Sequence, residues 1–142
     1  MTVKETIFIE ALPDEVWSVF IDCLTDENMS NPMFAEVKGD FLLGEELWIT
    51  TKRSMKYHAV ITGLDFGKML VWRIQNWGYS AKHTFQILQS SNGTNFVQIE
   101  YFKGWLAFIT WPLLWFLTRS AFKKLNFFLK YTVEHRNDTI KT

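Results

Sequence analysis

Two neighbouring stretches constrain this chain more than any other feature. Residues 79–89 alternate Ala81, His83, Phe85 and Ile87 against Lys82, Thr84 and Gln86, and residues 95–103 alternate Val97, Ile99 and Tyr101 against Gln98 and Glu100. Between them, Ser90-Ser91-Asn92-Gly93 supplies turn-forming residues. Successive strand side chains point to opposite faces, so the pattern predicts an antiparallel hairpin with one buried face and one wet face. Shorter patterns of the same kind predict strands over 3–11, 33–38, 45–53, 56–65 and 69–76. In the last of these Leu70, Trp72 and Ile74 face one way, Arg73 and Gln75 the other.

Helices are expected in two places. Leu12-Pro13-Asp14-Glu15 reads as a helix start, because proline suits the first turn and acids suit the positive end of the helix dipole. Val16, Trp17, Phe20 and Ile21 give that helix an apolar face, and a second short helix over 25–30 would end at Asn31-Pro32. After Gly104 the chain turns helical again. Leu114, Leu117, Ala121, Leu125, Phe128 and Thr132 form a stripe, with Arg119, Lys123, Asn126 and Lys130 opposite. A helix of about 25 residues is roughly 37 Å long, enough to cross a small sheet. The expected architecture is one α+β domain over residues 1–142, a curved antiparallel sheet of about seven strands wrapped round a long C-terminal helix. A bent sheet does not seat flat on one helix, so an apolar hollow is expected between them.

Charge and motifs remove several functions. Fifteen basic and fifteen acidic residues cancel, so no overall field draws the chain to nucleic acid. The balance is uneven: residues 1–50 hold eleven acids against Lys4 and Lys38, and residues 119–142 hold six bases against two acids. Cys23 is the sole cysteine, and His58, His83 and His135 lie far apart, so neither a disulfide nor a metal site is expected. No glycine-rich loop precedes a helix, and no cofactor is expected. Met1-Thr-Val-Lys-Glu-Thr lacks the apolar stretch of a secretory signal, and a cytoplasmic location is the simplest expectation. The apolar run from Trp105 to Leu117 is too short to cross a bilayer and contains Pro112.

Several local patterns resemble the START-like (SRPBCC) superfamily, whose helix-grip fold matches the predicted order of elements, and most closely its polyketide cyclase/dehydrase and lipid-transport branch. Ile7-Phe8-Ile9-Glu10-Ala11-Leu12-Pro13-Asp14-Glu15-Val16-Trp17 looks like that family's opening strand and helix. Val37-Lys38-Gly39-Asp40 and Leu43-Gly44-Glu45 look like its glycine-marked strands, and Gly104-Trp105 through Arg119 with Phe122 through Lys130 looks like its closing segment. Asn31-Pro32-Met33-Phe34 departs from the pattern, standing where the family commonly has a tryptophan. The resemblance implies the fold and a cavity. It does not imply one reaction, since members include enzymes, carriers and receptors.

On this frame a ligand is expected to contact Trp72, Ile74, His83, Phe85, Tyr101, Leu114, Leu117 and Ala121. The aromatic, catalytically sparse interior favours a binding protein for a hydrophobic small molecule such as a lipid, an isoprenoid or a polycyclic aromatic. The catalytic alternative is a cyclase or dehydratase in which His83 and Tyr101 move protons; the plainer reading of His83 is a hydrogen-bonded wall residue. A third reading is transient membrane or partner contact through Trp105–Lys124, where tryptophans precede Arg119, Lys123 and Lys124. Packing of those rings as a lid over the cavity is the expectation set against it.

Overall fold

The computed structural model describes residues 1–29 and 31–141, with side chains through residue 136. Seven strands, β1 (Thr2–Ile9), β2 (Phe34–Lys38), β3 (Glu46–Thr51), β4 (Lys56–Asp65), β5 (Met69–Asn76), β6 (Tyr79–Ser90) and β7 (Gly93–Lys103), form one antiparallel sheet. Its order is β1-β7-β6-β5-β4-β3-β2, so each strand from β2 onward pairs with the next and β1 returns beside β7. Register shifts at Phe34/Glu36 and Ile61/Gly63 place an extra residue on one strand, which bends it and helps the sheet curl. Three helices, α1 (Pro13–Thr25), α2 (Trp105–Ile109) and α3 (Trp111–Lys141), complete the fold, and α3 packs on β1 and α1. The 31 residues of α3 give it a length of about 46 Å.

α1 begins where the sequence indicates, with Pro13 in its first turn and the Glu15 carboxylate accepting from the Leu12 N–H at 3.4 Å. Val16, Val19, Phe20, Cys23 and Leu24 turn inward. The second short helix expected over 25–30 is absent among the described residues, and a turn follows Asp26. Local side chains capture the backbone there: Asp26 Oδ1 accepts from the Asn28 N–H at 2.9 Å, and buried Asn31 accepts from the Met33 and Phe34 N–H groups. Such bonds compete with helix.

The face assignment of β7 is inverted relative to the sequence reading. Phe85 stands opposite Gln98 and His83 opposite Glu100, and directly opposed side chains share a face. Thr94, Phe96, Gln98, Glu100 and Phe102 therefore point inward with His83 and Phe85. Tyr101 lies on the other face, 44% exposed. A one-residue error in phase moves every side chain of a strand to the opposite face.

The stripe on α3 is also rotated. Phe122, Leu125, Asn126, Leu129 and Val133 are buried, whereas Leu114, Leu117 and Ala121 sit half-buried at its edge. Asn126, expected in solvent, is inside because it accepts a hydrogen bond from Gln98.

Gly104 joins β7 to α2 at φ 113°, a region L side chains rarely adopt, and an added Cβ would lie 2.3 Å from the Gly78 carbonyl oxygen. Gly104→Ala should cost about 1–3 kcal/mol in chemical denaturation. Gly44→Ala, also at positive φ but with nothing within 4 Å of the new methyl, should cost less.

Candidate functional site

The interior between sheet and α3, where the sequence reading placed a hollow, is occupied by rings. Trp72 is 1% exposed and meets Phe34 at 5.7 Å, His83 at 5.6 Å and Phe85 at 4.9 Å between centroids. His83 is stacked between Phe85 at 4.0 Å and Phe122 at 4.8 Å, and Phe20 reaches Phe85 and Phe96 from α1. Ile74 is buried in the same cluster. The structure thus brings Trp72, Ile74, His83 and Phe85 together as packed core, leaves Leu114, Leu117 and Ala121 beside it, and sets Tyr101 on the opposite face.

A polar chain runs through these rings. The Gln98 side-chain amide donates to Asn126 Oδ1 at 2.7 Å and to the Phe122 carbonyl at 3.2 Å, which orients its oxygen toward His83 Nε2 at 3.1 Å. His83 Nε2 therefore carries the hydrogen, leaving Nδ1 toward Glu100 Oε2 at 3.8 Å. Burial lowers the imidazole to about 3 against the opposing pull of the Gln98 hydrogen bond, and burial raises the Glu100 carboxyl to about 8. At neutral pH a neutral imidazole thus faces a protonated acid, two groups whose environments push their affinities for protons apart. The Glu100 side chain keeps 12% of its surface exposed. Burial, with Tyr79 and Glu100 nearby, also pushes the Tyr57 phenol upward. The ionisable side chain that faces His83 is thus Glu100, and Tyr101 is on the other side of the sheet.

An apolar concavity lies on the outward side of α3. A shallow groove of about 770 Å³ is lined by Trp115, Phe116, Phe127, Phe128 and Tyr131, with Pro32 from the loop before β2 and with Arg119, Ser120, Lys123 and Lys124. Arg119 is held by Glu5 at 2.6 Å and lies over the Trp115 ring, while Lys123 and Lys124 are exposed. The pattern of residues 115–131 carried this signal. Phe128, expected on the inward stripe, lines this groove together with Phe127 and Tyr131. Pro32 enters through Asn31, whose amide donates to the Cys23 carbonyl and pins the loop.

Among the described residues no cluster of three or more His, Cys, Asp or Glu side chains is arranged to hold a metal ion. No helix among them is long and apolar enough to cross a membrane. Cys23 is buried, and burial, aided by Asp22, raises its thiol to about 12. It is a packing residue rather than a nucleophile.

Solved structures share this architecture. A Staphylococcus aureus protein of unknown function matches with a TM-score of 0.71 at 11% identity, covering 98% of this chain and 96% of its own. A Staphylococcus saprophyticus protein matches at 0.68 and 17% identity over 95% and 93%. Norcoclaurine synthase from Thalictrum flavum, solved as a point mutant with a transition-state analogue, matches at 0.68 and 11% identity over 96% of each chain. The chain therefore shares the fold of these structures, the helix-grip architecture that the sequence resemblance implied. No protein-family model and no curated protein matches the chain.

Proposed function

We propose that the chain binds an apolar small molecule, a lipid, isoprenoid or polycyclic aromatic, and that the guest lies in the α3 groove beside Pro32 rather than in the ring-filled interior. The groove carries this reading: its volume is within the usual range of ligand sites, its walls are aromatic, and its cations suit a guest with an anionic end. The fold is compatible with aromatic guests, since norcoclaurine synthase was solved with dopamine and hydroxybenzaldehyde.

Displacement of the anionic aromatic dye 1-anilinonaphthalene-8-sulfonate by hexadecanoate tests the reading. Phe127 is exposed, so Phe127→Glu should fold normally and yet bind the dye at least about tenfold more weakly, through lost ring contact and charge repulsion. Parent protein that binds no dye, or a variant that binds it equally well, would sink the proposal.

A second reading, cyclase- or dehydratase-like proton transfer, is favoured by one observation, the Glu100 acid facing His83. On that reading Glu100→Gln abolishes turnover of polyketide-like substrates while dye binding persists, and unchanged turnover removes Glu100 from the role.

A further inference from the structure

At one end of the molecule a set of large apolar side chains faces solvent. Trp77, in the β5–β6 turn, is 81% exposed, and Phe108, in α2, is 74% exposed. Trp105, Ile109, Leu113 and Phe116 are also exposed. Elsewhere in the same segment Ala107 is buried and Trp111 packs on Phe102 at 5.9 Å.

The exposed set is held as one surface rather than scattered. The Leu106 N–H donates to the Gly78 carbonyl at 3.0 Å, and the Trp77 and Trp105 rings meet edge to face at 5.0 Å. Contiguous apolar surface of this kind marks an interaction site.

Charge says what covers it. From Tyr101 to Lys124 the chain has no aspartate or glutamate; Lys103, Lys123 and Lys124 are exposed there, while Arg119 is paired with Glu5. A second copy would bring two such basic segments together, at an electrostatic cost. An anionic bilayer instead supplies phosphate and carboxylate to the lysines and an acyl boundary to the rings, and tryptophan favours that boundary. α2 is five residues long, so the surface lies on the bilayer and does not cross it.

We infer that the end formed by the β5–β6 turn, α2 and the start of α3 docks on the headgroup–acyl boundary of an anionic lipid bilayer. This goes beyond binding of a guest in the groove, and it places the rim of that groove, at Trp115 and Phe116, beside the lipid.

The test is co-sedimentation of the full chain with vesicles of phosphatidylcholine alone and of phosphatidylcholine with phosphatidylserine in 3:1 ratio, at low and high salt. The expected result is binding to the anionic vesicles with a blue shift of tryptophan fluorescence, weakened by salt and at least tenfold weaker for Phe108→Glu/Leu113→Glu. That double variant should keep the parent's melting temperature and its dye binding, whereas Phe127→Glu should lose dye and keep vesicles. Failure of docking is thereby distinguished from failure of the groove. No binding to anionic vesicles at low salt overturns the inference, as does equal binding by the double variant. A concentration-dependent dimer that the same substitutions dissolve, without vesicle binding, assigns the surface to a second copy and also overturns it.

Discussion

Trp72→Ala should lower stability by about 3–5 kcal/mol and the melting temperature by about 10–15 °C, read from denaturant and thermal unfolding. Trp72 is among the largest fully buried side chains, and its ring edges are fitted to Phe34, His83 and Phe85, so truncation leaves a void that its neighbours cannot close without leaving their own contacts. Tyr101→Ala removes a ring of similar chemistry from the opposite, half-wet face and should cost less than about 1 kcal/mol. The contrast separates a solid interior from a hollow one. If Trp72 lined an open cavity, its removal would enlarge existing space and cost far less.

Stability should also fall by about 2 kcal/mol between pH 6.5 and 8, and Glu100→Gln should abolish that fall. The folded Glu100 carboxyl holds its proton to about 8, while the ordinary value is 4.5, so the folded state binds more protons between those values and loses stability as pH rises. His83 acts in the opposite sense. Its folded imidazole resists protonation down to about 3 against an ordinary 6.5, so stability is lost as pH drops from 6.5. From about 4.5 to 6.5 the two slopes cancel and leave a plateau. Above 6.5 only the Glu100 limb remains. Glu100→Gln should be flat there and more stable than the parent at pH 8; an unchanged slope in the variant would assign it to other groups.

The sequence shows the frame of this molecule clearly and its interior poorly, for a physical reason. Strand order, the Pro13 helix start and the helical C-terminus follow from local pattern and turn chemistry. Polarity alone puts Gln98 and Glu100 outside, but Gln98 is satisfied inside by His83, Asn126 and a backbone carbonyl, and Glu100 stays partly exposed while facing His83. The correcting signal was present. Phe96 and Phe102 share their phase, and a hairpin closing at Ser90 and Gly93 sets His83 opposite Glu100 by register alone. On α3 the same bias favoured Leu114 and Leu117 over a stripe that includes Asn126. The groove is not legible for another reason, and the exposed end is legible only as one of two readings of Trp105–Lys124. Aromatic residues read as core unless their partners are known, and nothing local distinguishes Phe122, which is buried, from Phe116 and Phe127, which face water.

The location of the guest is the point on which the functional account turns. Cross-linking with a diazirine-bearing hexadecanoate, followed by peptide mapping, reads it directly. The account predicts label on residues 115–131 of α3 and beside Pro32, competed away by unlabelled hexadecanoate. Label concentrated on β5 and β6, around Trp72, His83 and Phe85, would place the guest inside and contradict it.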